Sequence, residues 1–510
     1  MGNVAAIAPP RSHSIFPASV PPSLHLESLQ PQRKRILFVT SEFADLIKVG
    51  GLGDVSAALP RALSAQHDIR VLIPGYRQVL ESGRALRIVG QVEGLAALPA
   101  CKIGRLDLAD GLIVYVLLHP ALFDRAGSPY GDQNGRDWPD NHIRFASLGL
   151  AAAEIARGDA GIHWRPELVH ANDWPAALAP AYMTWQQVKT PTLLTIHNLA
   201  YQGLCDMQCS AELAIPAHAC GIEGMEFHGQ LSFLKAGIFY ASHVTTVSRT
   251  YAQEITTSGF GCGLDGMLRA KVKAGRLSGI INGIDESWEP ANDPHLVQGF
   301  SADQWQGKQA NTAYVEQMFG LQPGGPLFAV VSRLVQQKGI DLTLRIADQI
   351  VNNGGRLAVI GRGEAELETA MEELAKRYPG RVGVHIGFNE TDARRIFAGS
   401  DFLLMPSRFE PCGLSQMYAQ RFASLPIARR TGGLADTIED GVTGFLFNEA
   451  SVESYQAAVQ RAFNIYQRPE LLNAMRCRAM NAPLFWQQSV TPYDRLYQHL
   501  LSEAHAAVSL

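Results

Sequence analysis

No run of apolar residues in this chain approaches the roughly 18–20 needed to cross a bilayer, and neither sign of charge dominates. Basic residues number 44 and acidic ones 48, a formal charge of −4. That balance excludes a general electrostatic affinity for nucleic acid or for an anionic membrane, so any bound anion must be met by local cations. Cysteine is scarce. The seven present (Cys101, Cys205, Cys209, Cys220, Cys262, Cys412 and Cys477) are odd in number and lack paired metal-ligand spacing, which points to free thiols in a reducing, cytoplasmic compartment. Cys205 and Cys209 lack the second pair that a zinc site needs, and no metal is expected.

What the chain does have is length and a hydrophobic content of 46% over 510 residues, enough for two large domains. Residues 1–34 are rich in proline and serine and carry one acid, Glu27. This composition cannot bury a core and predicts a disordered extension. It is acid-poor in the manner of a transit peptide, but arginine is sparse and no apolar signal core is present.

From Arg35 the pattern becomes that of alternating strands and helices. Strand-like runs at Arg35–Thr40, Ile69–Ile73, Leu112–Leu117, Leu168–His170, Thr192–Ile196 and His243–Val247 predict a doubly wound parallel sheet. Asn282–Pro290 (NGIDESWEP) is turn-rich and reads as a connection. The pattern then repeats from Leu327, with strands at Arg356–Ile360, Val382–Ile386 and Asp401–Met405. We therefore expect an N-terminal Rossmann-like domain over 35–285 and a second over 286–488. A C-terminal helix, capped at Thr491 with Pro492 as its first residue, would return over 489–510 to the first domain through Tyr493, Leu496, Tyr497 and Leu500. Ligands of such sheets bind beyond the carboxyl ends of the strands, so one cleft between the domains is the expected site.

The polar clusters sit at those strand ends. KVGGLGDV from Lys48 follows the first strand and opens a helix, a possible anion cradle with a mobile lysine. It is neither GxGxxG nor a P-loop, and glycine content alone equally suits a tight turn. HANDW places His170, Asn172 and Asp173 at a strand end; TIHNLAYQG places His197 and Asn198. In PSRFEPCGL a strand leads to Glu410 and to a helix beginning near Cys412, whose free N–H groups and dipole suit a sugar hydroxyl or phosphate. Read alone, Glu410 is equally a first-turn acid complementing that dipole.

Together, KVGGLGDV, HANDW, TIHNLAYQG, NGID, SRLVQQKG, PSRFEPCGL and RRTGGLADT occur in the order and spacing of the bacterial glycogen synthase and plant starch synthase family, and the chain resembles that family from about Arg35 to Leu501. The resemblance implies a GT-B fold, two Rossmann-like domains facing across a cleft, and retaining transfer of glucose from ADP-glucose to an α-1,4-glucan. It implies that Arg333 and Lys338 hold the diphosphate and stabilise it as it leaves, and that Glu410 meets the donor glucose with the backbone at Cys412 and Gly413. Asp173 and His197 would approach the sugar from the first domain. Lys48, Gly50, Gly51, Asp54, Tyr130, Asn198 and Asn282 would complete the substrate contacts, Phe388 would stack on the base, and Thr431 and Gly432 would finish a phosphate-binding turn. No cofactor is implied, and the partners are the sugar nucleotide and the glucan, with a homo-oligomer left open.

Departures are visible. Asn172 stands where bacterial members often carry histidine, and Phe388 where tyrosine is common, which keeps stacking but loses a hydroxyl. Tyr418 stands where many other retaining GT-B enzymes place a second glutamate. Thr437–Gly444 is shorter than in several bacterial members. Stacking accepts adenine or uracil, so the base is open from the residues alone. Transfer from UDP-glucose, or a silent glucan-binding role, are the rival readings; the full set of cations and acids argues against the latter.

Overall fold

The computed structural model describes residues 33–508; residues 1–32 of the N-terminal extension expected from composition lie outside them, and its last residue, Lys34, already belongs to the first strand and pairs with His67. Among the described residues the strands form three sheets. The first half contributes β1 (Lys34–Val39), β2 (His67–Pro74), β3 (Arg87–Val92), β4 (Cys101–Asp107), β5 (Ile113–Leu118), β6 (Leu168–Asn172) and β7 (Thr192–Ile196). A small antiparallel sheet of β8 (Leu204–Asp206), β9 (Glu226–Phe227) and β10 (Gln230–Ser232) follows, and then β11 (His243–Thr246) and β12 (Leu277–Gly279) rejoin the large sheet. Its order is β12-β11-β7-β6-β1-β2-β5-β4-β3. Strands β12 to β5 run parallel, and β4 and β3 add an antiparallel edge.

The parallel strands are buried on both faces, as β1 (Ile36, Leu37, Phe38 and Val39 all fully buried) makes clear, because helices cover both sides. This is why continuous apolar runs marked them in sequence. The edge strands escaped notice for the opposite reason: β4 alternates buried and exposed residues, and β3 is largely exposed.

The second half holds β13 (Leu327–Val331), β14 (Arg356–Gly361), β15 (Val382–Ile386), β16 (Phe402–Met405), β17 (Leu425–Arg429) and β18 (Phe445–Phe447), all parallel in the order β15-β14-β13-β16-β17-β18. The strand order reverses at β13/β16, and the loops leaving those two strands carry Arg333, Lys338 and Glu410. A topological switch point of this kind opens a crevice at the strand ends.

The chain crosses between the halves twice, near residues 282–285 and 484–486. The crossings pair with each other: Ile284 N–H donates to Leu484 O (2.9 Å) and Trp486 N–H to Ile284 O (3.3 Å). The C-terminal helix begins at Trp486, five residues before the expected cap, with Pro492 inside it. Burial of Trp486 and Val490 in the first half's core outweighs the backbone hydrogen bond that proline removes. Tyr493, Tyr497 and Leu500 are buried in that same core. His170 anchors them, its Nδ1 meeting Tyr497 Oη at 2.8 Å and its Nε2 meeting Thr195 Oγ1 at 2.6 Å. His170 is therefore not a cleft residue; burial pushes its pKa down to about 3 and keeps it neutral.

Candidate active site

All the site residues expected from the sequence, apart from His170, Asn172, Thr431 and Gly432, line one cleft between the halves with a volume of about 1210 Å³. That exceeds the roughly 300–1,000 Å³ of ordinary small-molecule sites and gives room for two substrates.

On the second half's wall, the loop after β13 presents Arg333, whose guanidinium donates to Gln337 Oε1 at 3.2 Å and is otherwise open to the cleft mouth. Lys338 lies deeper. Its Nζ sits 2.5 Å from Glu410 Oε2, and both side chains are largely buried. Ser407 Oγ also donates to Glu410 Oε2, at 3.1 Å. This loop is braced from below by the bidentate pair of Arg408 with Asp341 (2.7 and 2.8 Å).

The helix after β16 starts at Ser415, not near Cys412. Gly413 is the reason: at φ +71° it leaves helical geometry, and a Cβ there would lie 2.4 Å from Gln416 Oε1. Only glycine takes that conformation without strain. Gln416 Nε2 clamps the resulting turn by donating to Cys412 O (3.1 Å), Gly413 O (2.9 Å) and Thr437 Oγ1 (3.1 Å). Cys412 is buried, which pushes its thiol up to about 12 and leaves it un-ionised. Asn282 meets this thiol, while its own Oδ1 is buried without a hydrogen-bond partner in the chain.

Across the cleft, Asp173 adopts φ +57°, a left-handed backbone rare for a residue other than glycine. Its Oδ1 accepts from His197 N (3.1 Å) and Asn198 N (3.3 Å). Burial nevertheless dominates, pushing the carboxyl up to about 7. Burial also lowers His197 to about 3, so its ring is neutral. His197 Nε2 lies 3.0 Å from Asn172 Oδ1, and Asn172 Nδ2 donates to Val39 O and His170 O. An Asn carbonyl can only accept, so Nε2 carries the proton and Nδ1 is an acceptor. Asn172 thus fixes the tautomer of its neighbour.

Phe388, on the loop after β15, is 65% exposed and offers an open ring face. Tyr418 stacks on Trp288 with centroids 3.5 Å apart, and Arg394 caps the other side of that indole at 3.8 Å.

The two expected anion cradles are already filled, and by carboxylates the sequence did not flag. Glu42 Oε2 accepts from Val49 N (2.7 Å) and Gly50 N (2.9 Å), while its Oε1 accepts from Tyr130 Oη (2.6 Å). Lys48 pairs with Asp54 at 2.7 Å; burial keeps Asp54 above its ordinary pKa in spite of that partner. Thr431 and Gly432 do not line the cleft. They donate to Glu254 of the first half, Thr431 Oγ1 at 2.8 Å and Gly432 N at 3.1 Å to each carboxylate oxygen. In return Asp436 accepts from Arg249 N (2.6 Å), Thr250 N (3.1 Å) and Thr250 Oγ1 (2.6 Å). Each half thus places a carboxylate on the helix start of the other, where backbone N–H groups are free. Glu42 could have been found in sequence from its place just after β1, at a strand's carboxyl end; Glu254 and Asp436 carry no local signal.

This reciprocal latch holds the halves together beside the site. Asp436→Ala removes one side of it, and the radius of gyration by small-angle scattering is expected to rise as the cleft opens. An unchanged profile would show that the latch does not set the domain spacing.

Comparison with known proteins fits this geometry. Residues 35–270 match the family model described as the starch synthase catalytic domain, and residues 316–480 that described as glycosyl transferases group 1. A glycogen synthase of Pseudomonas putida is 68% identical over 93% of this chain and 91% of its own length. One of Pseudomonas aeruginosa is 66% identical over 96% and 95%. The chain belongs to the glycogen synthase and starch synthase family. It is a glycosyltransferase of the GT-B fold. Among solved structures, the catalytic domain of starch synthase IV from Arabidopsis thaliana, bound to ADP and acarbose, superposes with a TM-score of 0.82 at 31% identity, covering 92% of this chain and all of that one. A sucrose-phosphate synthase from Thermosynechococcus elongatus, 18% identical with a TM-score of 0.57, covers the same share and shares the fold alone. In this member of the glycogen synthase family, no described helix is long and apolar enough to cross a membrane.

Proposed function

We propose that the chain is a cytoplasmic glycogen synthase that transfers glucose from ADP-glucose to the non-reducing end of an α-1,4-glucan, with retention of configuration and release of ADP. The observation that carries this reading is the Lys338–Glu410 pair, 2.5 Å apart and largely buried, with Arg333 beside it and Asp173 and His197 on the opposite wall of the same cleft. The names of the Pseudomonas relatives and the ADP and acarbose bound to the Arabidopsis neighbour support the choice of donor and acceptor.

A diphosphate arriving here exchanges ligands with the protein. Its oxygens take Arg333 and compete with Glu410 for Lys338 and with Asp54 for Lys48, so the cations released by the carboxylates neutralise the leaving group. The acceptor 4-hydroxyl attacks C1 from the face the nucleotide leaves. The C1–O4 bond forms as the C1–O phosphate bond breaks, and the hydroxyl proton passes to a phosphate oxygen. Positioning and electrostatic stabilisation of the diphosphate supply the catalysis, and no cofactor is invoked. Asn282 Oδ1, an unpartnered buried acceptor, suits a substrate hydroxyl, and Phe388 suits the base.

The test is incorporation of labelled glucose into glycogen from ADP-glucose and, separately, from UDP-glucose. Strong preference for ADP-glucose supports the reading. Equal or reversed preference overturns the donor, and incorporation from neither overturns the function.

Asp173 adds a pH signature. Its carboxyl ionises near pH 3.8 when exposed and near 7 when folded, so between those values the folded state holds the extra proton and stability falls as pH rises. The melting temperature of the wild type relative to Asp173→Asn is expected to drop from pH 5 to pH 7.5, and an activity limb near pH 7 to vanish in the variant. A constant difference in melting temperature across that range would contradict the assignment.

A further inference from the structure

We propose that His142, Cys209 and Glu212 form a binding site for a thiophilic divalent cation, Zn²⁺ above all, on the rim of the cleft. The ligating atoms of His142, Cys209 and Glu212 all lie within 4.8 Å of one another. His142 Nε2 is already 3.1 Å from Glu212 Oε2. In a tetrahedral zinc site with bonds of about 2.0–2.3 Å, neighbouring ligand atoms are roughly 3.3–3.7 Å apart, so small rotations of side chains close the set.

Nothing along the chain marks this cluster. Cys205 and Cys209 lack a second pair along the chain, and the fold supplies one from elsewhere. Cys209 and Glu212 begin and end one helical turn, Cys209–Glu212, and at i, i+3 they share a face. That turn is anchored by Tyr182 Oη, which donates to Leu213 O at 2.7 Å. His142 comes from the first turn of the helix Asn141–Arg157. Cys205, on β8, has its thiol against that of Cys209. A dication lets the bound thiol release its proton to solvent as the sulfur–metal bond forms. Thiolate, imidazole and carboxylate together are a zinc-type donor set, whereas calcium and magnesium prefer oxygen alone.

His142, Cys205 and Cys209 line the same cleft as Asp173 and His197, on the first half's side. Zinc bound there narrows the path of the glucan; this consequence rests on the glucan-acceptor reading, while the site itself does not.

The experiment uses the full chain, reduced with a phosphine. Zn²⁺ is titrated by calorimetry, and Co²⁺ by its thiolate charge-transfer absorption. One equivalent of metal is expected, with affinity lowered at least ten-fold in Cys209→Ser and in His142→Ala and the Co²⁺ band lost in Cys209→Ser. Both positions are partly exposed, so circular dichroism should match the wild type, and either variant alone suffices. Metal binding unaltered in both variants, or no binding by the wild type, overturns the site. Glucose incorporation is then read with and without Zn²⁺: inhibition of the wild type but not of Cys209→Ser is expected, and bound zinc without inhibition overturns the placement on the glucan path. A chain inactive without zinc defeats the proposed function and leaves the binding result standing.

Discussion

Lys338→Ala is expected to lower the kcat for glucosyl transfer by about 10²–10³-fold, the loss typical when one preorganised donor to a developing negative charge is removed. Lys338 is the cation placed deepest in the cleft, its side chain 18% exposed against 35% for Lys48, so its charge acts at low effective dielectric. Two consequences of the change separate. One is the missing stabilisation of the leaving diphosphate, read in kcat. The other is Glu410 left buried without its cation, a defect worth about 3–5 kcal/mol in comparable pairs, read in melting. Lys338→Ala combined with Glu410→Ala should therefore recover melting temperature but no activity, because the two residues act on each other. Activity of Lys338→Ala within ten-fold of the wild type would remove this lysine from the reaction.

Lys308→Met is expected to be strongly destabilising, lowering the midpoint of the first thermal transition by roughly 5–10 °C for about 3 kcal/mol lost. Lys308 is 4% exposed. Its Nζ donates to Ala398 O at 2.9 Å, Ser400 O at 3.0 Å and Phe422 O at 3.0 Å, using all three protons of the ammonium. Burial holds its pKa well below the usual lysine value, yet the three carbonyls it meets have converged on it from the ends of two helices, Glu390–Gly399 and Ser415–Arg421. Methionine fills the volume and leaves those carbonyls facing a thioether. Both helices flank β16, which delivers Glu410, but Lys308 touches nothing in the cleft. Well below the transition, activity should stay within about three-fold of the wild type, since such an exchange acts on stability rather than on transition-state contacts. An unchanged transition would show that the carbonyls find other partners.

Much of the architecture was legible because it rests on local chemistry. Ile36–Val39 and Leu327–Val331 are unbroken apolar runs that only a strand covered on both faces can bury, and the glycine turns at Gly50 and Gly413 stand in the loops that follow β1 and β16. The strand-end rule then placed Asp173, His197 and Glu410 at one cleft, the family resemblance added Arg333 and Lys338, and the structure brings all five there. Expectation failed where a distant partner decided the outcome. The helix expected at Cys412 is delayed to Ser415 by a left-handed glycine turn that Gln416 ties to Thr437, and the C-terminal helix runs back through Pro492 because Trp486 has a core to enter.

Where backbone donors and cations are offered is written locally in the chain: a glycine loop, a strand end or a lysine needs no distant partner. What meets them is settled by packing. Glu42 on Gly50, Glu410 on Lys338, Glu254 on Gly432 and His142 beside Cys209 are pairings fixed by which surfaces close on each other. A buried charge must find a partner of opposite polarity, yet nothing in a stretch such as RRTGGLADT states that its partner is a glutamate 178 residues away. Packing two sheets and their loops at native density selects that partner, and with it the ligand exchange on which the cleft operates.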